Sequence, residues 1–175
     1  AQIRYDRADE TAAKLAAAQI AAALAGADVA LFPNRAEGGT NLPAMEAMAA
    51  GVPVILMHAQ GDPATMQADP TYDDVLLDVY DYLEARVTAA RAAGIAADRI
   101  VIDPGIGFGK TVQHNLTLLR GLSLFHGLGC PVLLGASRKR FIGTLAGVED
   151  ADDRMPGSIA VALAGLAQGV QISRV

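Results

Sequence analysis

Cysteine and tryptophan are nearly missing from this sequence: its 175 residues include one cysteine, Cys130, and no tryptophan. A single cysteine cannot form a disulfide within the chain, and it cannot supply the thiolates of a cysteine-based structural zinc site. We therefore interpret Cys130 as a buried thiol and expect a reducing, cytoplasmic environment.

Positive charge and long apolar runs are also scarce. The chain has 14 Lys and Arg against 19 Asp and Glu, a formal net charge of -5 at pH 7, which argues against a surface built to bind nucleic-acid phosphates. No apolar run approaches the roughly 20 residues of a membrane span, and the acidic start of the chain lacks the pattern of a signal peptide. We expect a small-molecule partner, with neither nucleic acid nor membrane.

Hydrophobic residues, in contrast, make up 52% of the sequence, which is enough for one sizeable core. Short apolar runs alternate with alanine-rich or amphipathic stretches, a pattern typical of βα units around a parallel sheet. The sequence therefore predicts a single α/β domain over residues 1–175. Strands are predicted at 2–5, 28–32, 53–58, 99–103, 131–136 and 170–175. Helices are predicted at 8–24, 42–50, 72–93, 111–122 and 158–168, with left-handed glycines near the ends of four of them: Gly26, Gly51, Gly94 and Gly169.

The stretch IDPGIGFGK at 102–110 is the first candidate for a functional site. Asp103 ends a buried strand, and α/β proteins bind their ligands at the carboxyl edge of the sheet. Three glycines, Gly105, Gly107 and Gly109, permit positive φ and a close approach of the backbone to a ligand. The alternative is an ordinary turn in which Asp103 caps a helix. The spacing is neither that of a phosphate-binding P-loop nor that of a dinucleotide fingerprint.

The basic cluster at 138–140 is the second candidate, because it follows an apolar strand and a Gly-Ala-Ser turn. A solvated basic face is the alternative. Lys139 is a compact cation, whereas Arg174 has a planar fork that suits phosphate. We interpret His58 as a histidine that satisfies local hydrogen bonds, and we expect Asn115, with its neighbour in the sequence, to orient the loop around Asp103. No metal-ligand spacing occurs.

Residues 1–56 contain the polar loop NRAEGG between a predicted strand and a helix that leads into a G-V-P-V strand. This segment resembles the C-terminal nucleotide-sugar-binding domain of retaining, two-lobed glycosyltransferases. Glu37 and Glu46 match the two glutamates of that family, although eight residues separate them here instead of the commoner seven. The resemblance implies an alternative sugar-nucleotide site. The other interpretation of Glu46 is a solvated helix residue.

From about Gly51 onward the sequence resembles a different family. Four motifs occur in order: PVILMHAQGDPATMQ, RIVIDPGIGFGKT, PVLLGASRKRFIG and VQISRV. They closely resemble the C-terminal half of dihydropteroate synthase, a (β/α)8-barrel transferase of folate biosynthesis that binds a pterin pyrophosphate and p-aminobenzoate. Residues 51–175 would correspond to that half barrel.

This resemblance implies a role for each matching residue. Asp103 would hydrogen-bond the pterin ring, Met57 would pack on it, and Phe108 would line the aminobenzoate side. Lys139 would contact the pterin near the aminobenzoate, and Arg174 would help to form the anion site, so these two are the catalytic candidates. Three further residues complete the predicted substrate-binding set: Gly107, Gly135 and Ser137.

Several motifs of the resembled family have no counterpart here. Its first strand carries a V-T-P-D-S-F-type loop and its second an S-T-R-P-type loop, and the expected His-Asp-Val after Arg174 does not follow. We therefore hypothesise a chimera joined at the shared G-V-P-V strand, with a divergent natural domain as the alternative. The predicted function is a transferase-derived chain with at most a partial pterin and phosphate site and little or no catalysis. The alternatives are a structural, engineered fold without ligand and, more weakly, a nucleotide-sugar-binding fragment. We expect no cofactor beyond Mg²⁺ carried by a pyrophosphate substrate.

The number of predicted strands is too small to close an eight-stranded barrel. The sequence thus predicts either an open, doubly wound, Rossmann-like sheet or a partial (β/α)8 barrel (TIM barrel). The first βα unit favours the open sheet. A curved partial barrel would leave apolar strand faces and a strand edge uncovered, which favours a homodimer.

Overall fold

The computed structural model describes residues 30–33, 53–62 and 64–175. The elements predicted at 2–5, 8–24 and 42–50 lie outside the described residues. The same is true of Gly26, Gly51, Glu37 and Glu46.

The described strands are all parallel. They are β1 (Ala30–Pro33), β2 (Val54–Met57), β3 (Ile100–Asp103), β4 (Leu133–Leu134) and β5 (Ile172–Ser173). Pairing runs in the order β1-β2-β3 and, separately, β4-β5. A parallel bridge between Ile102 and Val132 joins the two groups, and the Ile102 N–H donates to the Pro131 carbonyl at 2.9 Å. The strands therefore lie side by side in the order in which they occur in the chain.

This strand order bears on the predicted architecture. The α/β class and the parallel pairing are confirmed. A doubly wound sheet reverses its strand order at a switch point, and the described strands contain no such reversal. An arc of a barrel therefore describes this part of the chain better than the open, doubly wound sheet that the first βα unit favoured.

The described helices alternate with the strands along most of the chain. They are α1 (Val75–Ala92), α2 (Val112–Arg120), α3 (Arg140–Ala146) and α4 (Met155–Ala167), with short 3-10 turns at Ala97–Arg99, Leu122–Leu128 and Asp152–Arg154. The helices predicted at 72–93, 111–122 and 158–168 are confirmed as α1, α2 and α4 with shifted ends. Helix α3 was not predicted, because its sequence begins within the basic cluster and has no side-chain cap.

Local chemistry explains where these helices begin and end. The Asp74 carboxylate accepts hydrogen bonds from the first backbone N–H groups of α1, which moves the start of that helix beyond the predicted residue 72. Thr111 forms a capping box at the start of α2. Gly94 and Gly169 have φ of 94° and 86° and end α1 and α4 as predicted.

The core lies between α1 and the sheet. Helix α1 buries one residue on every turn, and these side chains pack with the interior of β2 and β3: Val75, Val79, Leu83, Val87, Val54, Ile100 and Ile102. Phe125, in the 3-10 turn after α2, is fully buried in the same core. The strands are therefore held firmly, and their carboxyl ends form a fixed edge.

Candidate functional site

The carboxyl edge brings together residues from four strands. Met57 and Asp103 end β2 and β3 in register with each other, and the next N–H along, that of His58, donates to the Asp103 carbonyl at 3.0 Å. A methyl group at Gly135 would lie 3.7 Å from the Arg174 Nε and 3.9 Å from the Asp103 Oδ2. Carboxylate and guanidinium thus face the same small space, which glycine keeps open.

Asp103 is a buried carboxylate with 6% of its surface exposed. Its Oδ1 accepts a hydrogen bond from the Gly105 N–H at 2.7 Å, while Oδ2 lies on the Gly135 side. Burial raises the pKa of Asp103, and the Gly105 N–H together with the charges of Lys139, Lys110 and Arg174 opposes that rise. The site therefore presents one free carboxylate oxygen within a ring of positive charge.

The β3 loop, residues 104–110, follows Asp103 and depends on its glycines. Gly105, Gly107 and Gly109 have φ of 69°, 83° and 63°, so the expected left-handed positions are present. A methyl group at Gly105 would lie 1.8 Å from the His58 carbonyl oxygen, and one at Gly109 would lie 2.4 Å from that of Gln60. The loop therefore packs directly against the backbone that follows β2.

Asn115 holds the middle of this loop. Its side chain is 2% exposed, its Oδ1 accepts from the Gly107 N–H at 2.7 Å, and its Nδ2 donates to the Thr111 carbonyl at 2.8 Å. The Tyr72 hydroxyl donates to the Gly109 carbonyl at 2.8 Å. These contacts agree with the orienting role that the sequence suggested for Asn115.

Lys139 reaches the β3 loop from the β4 loop, residues 135–139. Its Nζ donates to the Ile106 carbonyl and lies 4.3 Å from the centroid of the Phe108 ring, a cation–π contact. A methyl group at Gly107 would lie 3.0 Å from the Lys139 Cδ. Burial lowers the pKa of Lys139 to about 8, against the opposing effect of Asp103. The structure thus brings Lys139, Phe108 and Gly107 together.

A buried pair beneath the β3 loop was not predicted as part of the site. Lys110 is 3% exposed, and its Nζ lies 2.9 Å from the His58 Nδ1 and 3.0 Å from the Phe108 carbonyl oxygen. Burial lowers the pKa of Lys110 to about 7 and, together with the Lys110 charge, lowers that of His58 to about 3. His58 is therefore neutral. The sequence feature that could have indicated this pair is the position of Lys110 at the end of the Gly-rich loop.

Arg174 and Ser137 lie on a more open side of the edge. Arg174 is exposed, and its backbone N–H continues the pairing with β4 by donating to the Leu134 carbonyl at 3.0 Å. Both residues line a shallow cleft of about 300 Å³. Arg138 also lines this cleft, and its guanidinium pairs with Asp152 at 2.6 Å.

A larger cleft, of about 530 Å³, lies beside Phe108 and Lys139. Its other lining includes a second aromatic ring, Phe141, which was missed from the sequence, and an exposed cation, Arg140, from the predicted basic cluster. None of its lining residues is acidic: Met66, Gln67, Pro70, Gly107, Phe108, Lys110, Thr111, Val112, Asn115, Lys139, Arg140, Phe141 and Thr144. Aromatic walls with cationic groups suit a small aromatic anion.

Residues 8–175 match the family model described as pterin binding enzyme. The chain belongs to this family. It is 52% identical over 123 residues to the dihydropteroate synthase of Neisseria meningitidis serogroup C, which is 70% of this chain and 44% of that protein. Dihydropteroate synthases are transferases of folate biosynthesis, and this chain is homologous to them. The chain thus spans less than half the length of this curated relative.

Solved structures agree with the family. The dihydropteroate synthase from Thermus thermophilus in complex with 6HMPPP has a TM-score of 0.82 and 41% identity, covering 91% of this chain and 62% of that one. The same enzyme in complex with 4-aminobenzoate has a TM-score of 0.73 and 45% identity, covering 78% and 55%. The chain therefore shares the barrel-like α/β fold of these enzymes.

The predicted chimera finds no support in these likenesses. The family match begins at residue 8 and therefore crosses the junction that was placed at 51–56. The glycosyltransferase resemblance, with Glu37 and Glu46, stays a prediction about residues that the structure does not describe.

Within 53–62 and 64–175, no group of three or more His, Cys, Asp or Glu residues is arranged to hold a metal ion. In the described part of this pterin-binding family member, no helix is both long and apolar enough to span a membrane.

Proposed function

We propose that this chain forms the pterin- and aminobenzoate-binding half of a cytoplasmic transferase of the dihydropteroate synthase type. In that reaction the amine of p-aminobenzoate displaces pyrophosphate from the methylene carbon of a pterin. The observation that carries the proposal is Asp103, a buried carboxylate at the carboxyl edge with one oxygen directed toward an open space and with Lys139 and Arg174 nearby. We describe its fold as an arc of the family's barrel.

Asp103 suits the pterin ring for a chemical reason. An ionised carboxylate only accepts hydrogen bonds, so it pairs well with the adjacent N–H groups of an aminopyrimidine edge. The Gly105 N–H fixes one oxygen at 2.7 Å and thereby the orientation of the carboxylate. Met57, opposite Asp103 in the sheet register, supplies an adaptable apolar surface for the ring. Gly135 leaves the room that the ring needs.

The aminobenzoate would occupy the cleft of about 530 Å³. Phe108 and Phe141 offer flat apolar contacts for its ring, and Arg140 offers a charge for its carboxylate. Lys139 lies between this cleft and Asp103, so it would contact both substrates. The attacking amine would then lie near the pterin.

Departure of pyrophosphate requires a positive site. Lys139 and Arg174 would supply the charge, and Ser137 would supply a hydroxyl in the cleft of about 300 Å³ that it shares with Arg174. Mg²⁺ would reach the site as a companion of the pyrophosphate, whose oxygens it prefers as ligands. No resident cofactor forms part of the proposal.

Binding is tested by calorimetry with pterin pyrophosphate. Asp103→Asn replaces one acceptor oxygen by a donor and should weaken binding about 100-fold, because hydrogen bonds to charged groups contribute about 1.5 to 3 kcal/mol each. Asp98→Asn, the same change on an exposed 3-10 turn far from β3's carboxyl end, should bind as the wild type does. Equal affinities for the Asp103→Asn variant and the wild type would reject the proposed role.

We further propose that this chain, taken alone, binds substrates better than it turns them over. The loops that the resemblance assigns to the first two barrel strands have no counterpart in its sequence. Positioning of that kind accounts for roughly 7 to 11 kcal/mol of a barrier. Pyrophosphate release should therefore be slow, and substantial release that Lys139→Ala abolishes would contradict this.

A homodimer is also proposed, for a different reason than the sequence suggested. The apolar side chains of β2 and β3 that were expected to stay uncovered are buried. Instead α4 exposes one apolar stripe, with 58%, 49%, 60% and 52% of the surface of its members accessible: Met155, Ile159, Leu163 and Leu166. Sedimentation should show a dimer that Leu163→Glu dissociates. The matched control is Leu77→Glu on α1, where Leu77 is 53% exposed, and a wild-type monomer at high concentration would reject the dimer.

A further inference from the structure

Lys110 is a buried cation whose presence needs an explanation. Its side chain is 3% exposed, and its two hydrogen-bond partners, the His58 Nδ1 and the Phe108 carbonyl oxygen, are both uncharged. Taking an ammonium group out of water is costly, and neutral acceptors return only part of that cost. A charge kept in such a place is therefore expected to act on something nearby.

The hydrogen bonds of Lys110 have a mechanical consequence. Its bond to the Phe108 carbonyl, at 3.0 Å, fixes the backbone that carries the Phe108 ring. That ring lies under the Lys139 ammonium, 4.3 Å from it. The bond of 2.9 Å to His58 ties the same ammonium to the end of β2. Because His58 is neutral and accepts through Nδ1, its own proton lies on Nε2.

The charge of Lys110 has an electrical consequence for Asp103. Three cations act on that carboxyl: Lys110 from its own loop, Lys139 from the β4 loop and Arg174 from the segment after β5. Arg174 is exposed, so solvent screens its charge. Lys110 is enclosed, so its charge acts through a medium of low dielectric.

Other ionisable groups face this cluster. The rings of Tyr72 and Tyr82 pack on His58, with centroid distances of 6.0 and 4.9 Å. Burial raises the pKa of both phenols, that of Tyr72 to about 12, so both are neutral near pH 7. The charges that set the state of Asp103 below pH 7 are therefore those of the three cations.

We propose that Lys110 is a positioning residue of the pterin site: it fixes the Phe108 carbonyl, uses neutral His58 as its second acceptor, and keeps the Asp103 carboxyl ionised from beneath the loop. This role rests on the proposed function, in which Asp103 binds the pterin as a carboxylate. In this role Lys110 acts on the pterin through Asp103 and Phe108, and it also lines the cleft of about 530 Å³ from beneath the loop.

The first test needs no ligand. The titration of the Asp103 carboxyl is followed by ¹³C NMR in the wild type, Lys110→Met and Lys110→Gln. Both substitutions remove the charge, so the midpoint should rise by about one pH unit. Arg120→Met removes a cation from the exposed last turn of α2 and should leave the midpoint unchanged. An unmoved midpoint in both Lys110 variants overturns the proposal.

The second test is calorimetry with pterin pyrophosphate between pH 6 and pH 8. Lys110→Met should weaken binding about tenfold at pH 6, with less loss at pH 8, where Lys110, with a pKa of about 7, is mostly neutral in the wild type. Lys110→Gln keeps an amide donor for the Phe108 carbonyl and should bind more tightly than Lys110→Met. An equal loss of affinity at every pH would show that the charge of Lys110 does not act on Asp103, and this would overturn the proposal.

The two tests separate this inference from the proposed function. A wild-type chain that fails to bind pterin pyrophosphate rejects the proposed function, whereas the NMR midpoint still decides whether Lys110 controls Asp103. Failure of both Lys110 variants to fold would overturn the inference, because Lys110 would then be required for folding and not for the site.

Discussion

The β3 loop and the β4 loop meet at the same edge but are held in different ways. The β3 loop is fixed from within by buried groups, chiefly Asn115 and Lys110, and by glycines in close contact with neighbouring backbone. The β4 loop is held by one buried hydroxyl, that of Ser158, and by longer side chains. These are the Lys139 ammonium on the Ile106 carbonyl, the Arg154 guanidinium on the Arg138 carbonyl, and the exposed ion pair between Arg138 and Asp152. The more rigid β3 loop directly follows Asp103, the group proposed to bind the heterocycle, and the β4 loop carries Ser137 and Lys139, which are proposed to help bind phosphate.

This difference follows from what each ligand requires. A heterocycle edge is recognised by two parallel hydrogen bonds, which tolerate little displacement of the carboxylate. Long cationic side chains can follow a phosphate over a wider range of positions. A more exposed loop is therefore sufficient for phosphate binding, whereas the Asp103 carboxylate must be fixed in position by its neighbours.

The largest effect on the difference between the two loops is expected for a substitution at Gly105. Gly105→Ala should lower the free energy of unfolding by about 4 kcal/mol or more, because its methyl group would lie 1.8 Å from the His58 carbonyl oxygen. Gly147→Ala is the matched control: φ is 66° there, close to the 69° of Gly105, but nothing lies within 4 Å of the added methyl group. Its cost should be about 1 to 2 kcal/mol. Urea denaturation that gives equal losses would show that the β3 loop adapts freely.

The next effect concerns pH and His58. Its folded-state pKa of about 3 lies below the usual 6.5, so the unfolded chain takes up a proton first as the pH falls. The stability that neutral His58 contributes is present above pH 6.5 and is lost as the pH falls toward 3. Between pH 6.5 and pH 5 this amounts to about 2 kcal/mol. His58→Asn should flatten the fall, and parallel urea-denaturation curves over this range would contradict the prediction.

A smaller effect is expected at Ser158 in support of the β4 loop. Its Oγ accepts from the Arg138 N–H at 2.8 Å and donates to the Arg154 carbonyl at 2.9 Å. Ser158→Ala should cost about 1.5 kcal/mol, because both partners lose a buried bond. Thr144→Ala, which removes an exposed hydroxyl bond to the Arg140 carbonyl, should cost less in the same thermal or urea assay. A reversed order would place the support of the β4 loop elsewhere.

The smallest effect is expected for the ion pair of the β4 loop. Arg138 and Asp152 are 59% and 81% exposed, and exposed pairs contribute little because water and salt screen them. Asp152→Asn should change the unfolding free energy by no more than about 0.5 kcal/mol at 0.15 M salt. A loss comparable with that of Ser158→Ala would show that the two loops are held alike.

The sequence was informative where local chemistry decides the structure. Asp103 at a strand end and the three left-handed glycines after it were foreseen, because a buried apolar run predicts a strand and a Gly-rich stretch predicts positive φ. Helices α1, α2 and α4 were predicted from amphipathic or alanine-rich stretches, which are also local features of the sequence. The short helix α3 was missed, since it has no side-chain cap and too few residues to establish a period.

Contacts between distant residues could not be predicted. The Lys110 ammonium and the His58 imidazole are 52 residues apart in the chain, and neither residue carries a local signal for the other. Phe141 and Arg140 join the larger cleft through the placement of α3, which pattern analysis had not found. The strand order also depends on pairing between distant segments, which the sequence does not show. The prediction of an open sheet was therefore based only on the first βα unit.

The contact between Lys110 and His58 also sets an order of events during folding. The Lys110 ammonium can be buried against His58 only after β2, α1 and β3 have come together. The chain between the two residues must first close a long loop, which costs conformational entropy. Parallel strands joined through such loops fold slowly compared with structures rich in local contacts. Desolvation of the Lys110 ammonium is therefore expected among the last steps on the folding pathway, when the carboxyl edge takes its final form.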